Sequence, residues 1–177
     1  MNNEPTAVAL LGERFADVRR RVDTAASRSN RSGGDIRLIA ITKTHPAQTI
    51  RDAIQLGMTT FGENRVQEAE DKISEVGRSA ASWHLVGHLQ SNKARRAVKL
   101  FDCIHSLDSA ELAERLNEMC IAESRDVLPV LIQIDLGGEK TKTGVDPRGL
   151  PALLEAVSKC ERLRLDGLMT LPPFLKI

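Results

Sequence analysis

No charge of one sign dominates this chain: 25 lysines and arginines stand against 24 aspartates and glutamates in 177 residues. No overall field therefore draws the protein to nucleic acid or to acidic lipid. Cysteine is scarce as well. Cys103, Cys120 and Cys160 are odd in number and widely spaced, which predicts free thiols in a reducing compartment and matches no metal-type spacing. No apolar stretch approaches the roughly 18 residues that cross a bilayer. The opening MNNEPTAVALLGERF has no basic leader and no small-residue cleavage site, so no secretory signal is expected. No G-x-G-x-x-G follows any apolar run, which disfavours dinucleotide binding. These absences leave a cytoplasmic domain as the expectation, one long enough to bury roughly 70% of its unfolded surface.

What is present is an alternation. Val8, Leu11, Phe15, Val18 and Val22 recur at steps of three or four, predicting a helix from Thr6 to about Ser27. After Gly34 come short β-rich runs at Ile36–Thr42, Thr59–Gly62, Trp83–Gly87, Cys103–Leu107, Leu128–Leu136 and Arg164–Leu171. Helical stripes separate several of them: Val66, Ala69, Ile73 and Val76, then Leu112 to Cys120, then Leu150 to Val157. Asp108 and Glu111 look like a capping box, and Pro46 and Pro151 suit first helical turns. Runs such as LPVLIQIDL, apolar on both faces, predict a parallel α/β sheet covered by helices. A doubly wound sheet or part of a (β/α)8 TIM barrel satisfies that pattern. A complete barrel takes about 250 residues, so the second option predicts an incomplete one of about six strands. The expected organisation is a single domain, with a helix and linker over 1–34 and the sheet over 35–177.

The run IRLIAITKTHP carries an apolar strand straight into Lys43. Counting back by twos puts Ile41 and Ile39 on the lysine's face and Ala40 and Leu38 on the other. In a barrel the first set points inward, and Lys43 stands at the C-terminal rim where such folds hold their chemistry. Desolvating an ammonium is costly, so a lysine buried there turns toward neutral, nucleophilic amine. The plainer alternative is a rim lysine reaching water or pairing with a carboxylate such as Glu63.

Six segments occur in order, each at or just after a predicted strand: AITKTHP, FGENRVQE, WHLVGHLQSNK, HSLDS, GEKTKTG and LDGLMTLPP. From about Ile36 to Pro173 the chain resembles the pyridoxal phosphate homeostasis proteins, a family similar to the barrel domain of alanine racemase. The resemblance implies that Lys43 forms the internal aldimine with pyridoxal 5′-phosphate (PLP) and that the protein serves intracellular vitamin B6 homeostasis. It places Asn64, at the end of the second strand, near the cofactor's ring oxygen, with a turn-capping amide as the alternative. His84 is a candidate rim residue or a hydrogen-bonded packing histidine, and Met169 a wall under the cofactor or ordinary core. Glu139, Lys142 and Gly144 lie in a loop that lines the mouth or serves only as a turn. The His84–His88 spacing crosses a strand and lacks further ligands, so no metal is expected. Lys93, Arg95, Arg96 and Lys99 read as a solvated helix face.

Departures from the family pattern stand at Arg65, Leu85 and Ala97. The family's later strands, with their phosphate-holding Ser-Met-Gly-Met-Ser-like and Gly-Thr segments, have no counterpart in PPFLKI. The expectation is a truncated member with impaired cofactor retention and open sheet edges prone to self-association. Apo-PLP enzymes are the other partners that the resemblance implies. A PLP-dependent racemase-like enzyme and an inactive remnant are the competing readings. Racemase relatives use a tyrosine as second acid/base, and this chain has no tyrosine, so turnover by that route is not expected.

Overall fold

A computed structural model describes residues 6–136 and 143–171. Helix α1 (Ala7–Arg28) starts at Thr6, whose side chain accepts from Ala9 N at 3.2 Å. The chain then alternates: β1 (Ala40–Ile41), α2 (Ala47–Gln55), β2 (Thr60–Glu63), α3 (Val66–Val76), β3 (Ser82–Leu85), α4 (Ala94–Leu100), β4 (Cys103–Leu107), α5 (Ala110–Ala122), β5 (Leu128–Ile134), α6 (Leu150–Ser158) and β6 (Leu163–Thr170). All neighbouring strands pair in parallel, in the order β1-β2-β3-β4-β5-β6. Such strictly sequential order places each helical crossover on the same side, because β-α-β connections are right-handed. A doubly wound sheet reverses direction at a switch point, and this one does not. The architecture is six strands of a (β/α)8 barrel, open between β1 and β6.

The core lies between the sheet and its helices. Phe61, Trp83, Leu85, Ile104, Leu107, Leu128, Val130 and Ile132 come from the strands, and Ile50, Ile73, Leu112 and Leu116 from the helices. Ala69, Ala94, Ala97 and Ala113, fully buried, let the helices approach the strands closely. Trp83 stacks at a tilt on Phe61 with centroids 5.7 Å apart, and its indole N–H donates to Arg78 O. The Arg78 guanidinium then grips Asp102, whose carboxylate also accepts from Trp83 N at 2.7 Å. Arg125 closes the C-terminal end of α4 by donating to the carbonyls of Val98 and Phe101, which satisfies acceptors that a helix end leaves free.

The opposite face is the inner face of the barrel, and its β1 edge meets water. Ile41 is 46% exposed, whereas its neighbour Ala40 packs against the core, so the alternation expected for β1 holds. That strand is shorter than the apolar run suggested. Only Ala40 and Ile41 pair with β2, because an edge strand has a neighbour on one side alone and residues 37–39 find no ladder partner. The start of α5 also differs from expectation. Ser109 is its N-cap, accepting from Leu112 N at 3.3 Å, while Asp108 faces His88 at 3.4 Å. Ser109 is one residue nearer the helix, where its short hydroxyl reaches the free N–H groups. No helix among the described residues is long and apolar enough to cross a membrane.

Candidate functional site

The carboxyl ends of β1 and β2 form one rung. Ile41 pairs with Gly62, so Lys43 and Asn64, each two residues further on, reach the same level of the sheet. Gly62 leaves room for the isoleucine side chains that lie over it: a Cβ there would lie 2.6 Å from Ile41 Cδ1 and 3.2 Å from Ile39 Cγ2. Lys43 therefore sits at the strands' carboxyl ends, as expected, but its setting is wetter than the sequence implied. It is exposed, because an open sheet leaves the mouth accessible to solvent. Asn64 is half-buried.

A clamp centred on the buried ammonium of Lys72 holds the backbone on both sides of Lys43. The ammonium of Lys72, on α3, donates to Thr42 O at 2.6 Å, Glu63 Oε1 at 2.8 Å and Glu68 Oε1 at 2.7 Å. Thr42 Oγ1 donates to the same Glu63 oxygen at 2.6 Å, and Thr44 N donates to Glu68 at 2.6 Å. Thr44 carries a φ of 65°, a conformation that non-glycine residues seldom adopt and that surrounding bonds must maintain. The Lys72 ammonium, with the Thr44 N–H, holds the Glu68 carboxyl below its ordinary range. Glu63 is thus the partner of Lys72, and the plain pairing considered for Lys43 is not made. Lys72 escaped the sequence reading. Its i,i+4 spacing from Glu68 was visible, but the convergence on Thr42 O spans 30 residues and exists only in the fold.

His84 lies within β3, level with Gly62 and Cys103, one rung below Lys43. Its Nε2 meets Ser82 Oγ at 3.2 Å and its Nδ1 meets His105 Nε2 at 2.8 Å. Burial, then the neighbouring His105 and Arg37, push its pKa down to about 4, and burial lowers that of His105. Both rings are neutral in the fold at pH 7. Unfolded, they bind protons near 6.5, so protonation favours the unfolded state and stability falls as pH drops from 6.5 toward 4. Thermal melts in chelator-treated buffer over that interval should show the decline, and His84→Gln should flatten it. Met169 is half-buried near the C-terminal end of β6, paired with Gln133. Gly144 adopts a φ of 138°, as a turn glycine should, while Glu139 and Lys142 lie outside the described residues. His88 is an exposed partner of Asp108, whose carboxyl burial pushes up.

Residues 16–176 match the family described as the alanine racemase N-terminal domain. Over 165 residues the chain is 43% identical to the pyridoxal phosphate homeostasis protein of Escherichia coli (strain K12), covering 92% of this chain and 70% of that one. PipY of Synechococcus elongatus PCC7942 is 40% identical. Solved without PLP it superposes with a TM-score of 0.81, over 93% of this chain and 73% of its own. With PLP bound the values are 0.74, 88% and 72%. An alanine racemase of Clostridium difficile, 18% identical, shares the fold with a TM-score of 0.64 over 77% of this chain and 36% of its own. The chain belongs to the alanine racemase N-terminal domain family, on its pyridoxal phosphate homeostasis protein branch.

Proposed function

We propose that this chain binds PLP in the cytoplasm and serves vitamin B6 homeostasis, with Lys43 carrying the cofactor through a Schiff base and without turnover of its own. The observation that carries the reading is the placement of Lys43: a solvent-reachable primary amine at a strand's carboxyl end, its flanking backbone fixed by the Lys72 clamp. The PLP-bound PipY relative supports the choice of ligand. PLP supplies an aldehyde for the amine and a phosphate for anchoring. The remaining work falls to the chain. Asn64 presents an amide on the lysine's rung, Met169 forms an apolar wall, and His84 lies one rung beneath. Ser106 Oγ and Gln133 Oε1, on adjacent strands, are buried without a hydrogen-bond partner among the described residues, as suits a surface that receives a polar group.

The open edges at β1 and β6 belong to the same reading. Retention is expected to be weaker than in a closed barrel, and the edges favour self-association. Apo-PLP enzymes are the partners to which a loosely held cofactor would pass. The test is direct. Incubate with PLP, record the visible band, reduce with borohydride, and map the modified peptide. Label concentrated on Lys43 and lost in Lys43→Ala is expected; label scattered over exposed lysines such as Lys99 and Lys159 sinks the reading. Gel filtration of the unreduced sample reports retention and oligomeric state together. Amino-acid turnover that disappears in Lys43→Ala would overturn the non-enzymatic part.

A further inference from the structure

Below the rung of Lys43, His84, Cys103 and His105 form a compact group on adjacent strands. One ligand atom from each side chain lies within 4.8 Å of the others. All three residues are nearly sequestered, at 4%, 8% and 9% exposure. Cys103 and His105 stand two apart on β4, hence on one face, and Cys103 pairs in register with His84. His84 Nδ1 and His105 Nε2 face each other in a ring-to-ring hydrogen bond of 2.8 Å, so these are the two nitrogens that an ion between the rings would take over. The far nitrogen of His84 is already engaged by Ser82 Oγ, the kind of outer contact that fixes the tautomer of a metal-bound imidazole.

We propose that His84, Cys103 and His105 form a binding site for a borderline-soft divalent ion of the zinc type, one rung below Lys43. Two imidazoles and a thiolate suit such an ion, with bonds of about 2.0–2.1 Å to nitrogen and 2.3 Å to sulfur, which set ligand atoms roughly 3.3–3.7 Å apart. The two rings therefore part by about half an ångström while the sulfur closes in. The ion displaces the proton shared between the two neutral rings, and that proton moves to the one outer nitrogen that lacked it, so each imidazole then carries its single proton on its outer nitrogen. The thiol of Cys103 releases its proton to solvent as the metal–sulfur bond forms, which makes one proton released in all. A single water takes the fourth position. Three guanidinium groups bear on the site: Arg37 acts on His84 and Cys103, Arg125 acts on Cys103, and so does Arg164, which is bound at 2.6 Å and 2.8 Å to Asp166, whose carboxylate also acts on Cys103 while that of Asp102 acts on His84. Those carboxylates offset part of the positive field. Sequence spacing hid the group because its members come from two strands, with no paired-cysteine signature.

Cobalt(II) is the probe. Titration of the reduced full chain is expected to give a thiolate-to-cobalt charge-transfer band that saturates at one equivalent, is displaced by zinc(II), and is accompanied by release of one proton. Cys103→Ser and His105→Gln should each lose the band while keeping the circular dichroism of the fold, and Cys120→Ser should keep it. No band in the wild-type chain overturns the proposal, and so does a band that survives Cys103→Ser. If Cys103→Ser fails to fold, His105→Gln and the wild-type stoichiometry decide the matter.

Discussion

Lys72→Met is expected to cost about 3–5 kcal/mol, a fall in melting temperature of roughly 6–20 °C. Glu63 is fully buried, and the Lys72 side chain is 8% exposed. With the ammonium gone, the Glu63 carboxylate keeps only the Thr42 hydroxyl, because its second oxygen has no partner among the described residues. An uncompensated charge in that position costs more than the original pair contributed, which is why losing one partner hurts more than losing both. Lys72→Met/Glu63→Gln should therefore recover a good part of the loss. The check comes from melts of the three proteins. A single variant that melts like wild type would show that the clamp is not holding this end of the sheet. The same substitution frees Thr42 O and loosens Glu68 from Thr44 N, so borohydride labelling of Lys43 should fall alongside stability.

Much of the fold was legible because strand burial writes itself into short apolar runs. Residues 103–107 and 128–134 pair where those runs predicted strands, and the alternation through Ile39, Ala40 and Ile41 told the inner face from the helix face. The length of β1 was not legible, since pairing needs a neighbour and hydrophobicity does not report one. The wetness of Lys43 was hidden for the same reason: a residue's solvent depends on strands far away in sequence. Asn64 could be placed at a strand end, but its level with Lys43 follows from register. Lys72 and the His84, Cys103 and His105 group are products of convergence, each joining side chains that carry little signal individually. His84 illustrates the limit well. Its alternatives were a pocket residue or a packing histidine, and the fold binds it to Ser82 and His105 within the strand layer.

Gly87→Ala is expected to cost roughly 1–3 kcal/mol by overpacking and to disturb the candidate site without touching any of its side chains. A Cβ at position 87 would stand 2.3 Å from Asn64 O, 2.7 Å from Asn64 Cα and 2.9 Å from its carbonyl carbon. Those are backbone atoms, so no rotamer change can absorb the clash. The segment after β2 has to move, although Val86 N is bonded to Glu63 O at 2.9 Å immediately beside it. Asn64 then leaves the level of Lys43. The hydrogen bond to the cofactor that the proposed reading gives Asn64 is worth about 0.5–1.5 kcal/mol, or roughly 2–10-fold in PLP affinity. Asn64→Ala should cost a similar factor, and the double variant little more than either, because both changes remove the same contact. Gly34→Ala is the control, since a Cβ there meets only Ser32 Oγ at 3.4 Å. Full additivity of the two site variants in a PLP titration would mean that Gly87 acts elsewhere. Wild-type affinity in Gly87→Ala, with the destabilisation present, would remove Asn64 from the cofactor's contacts.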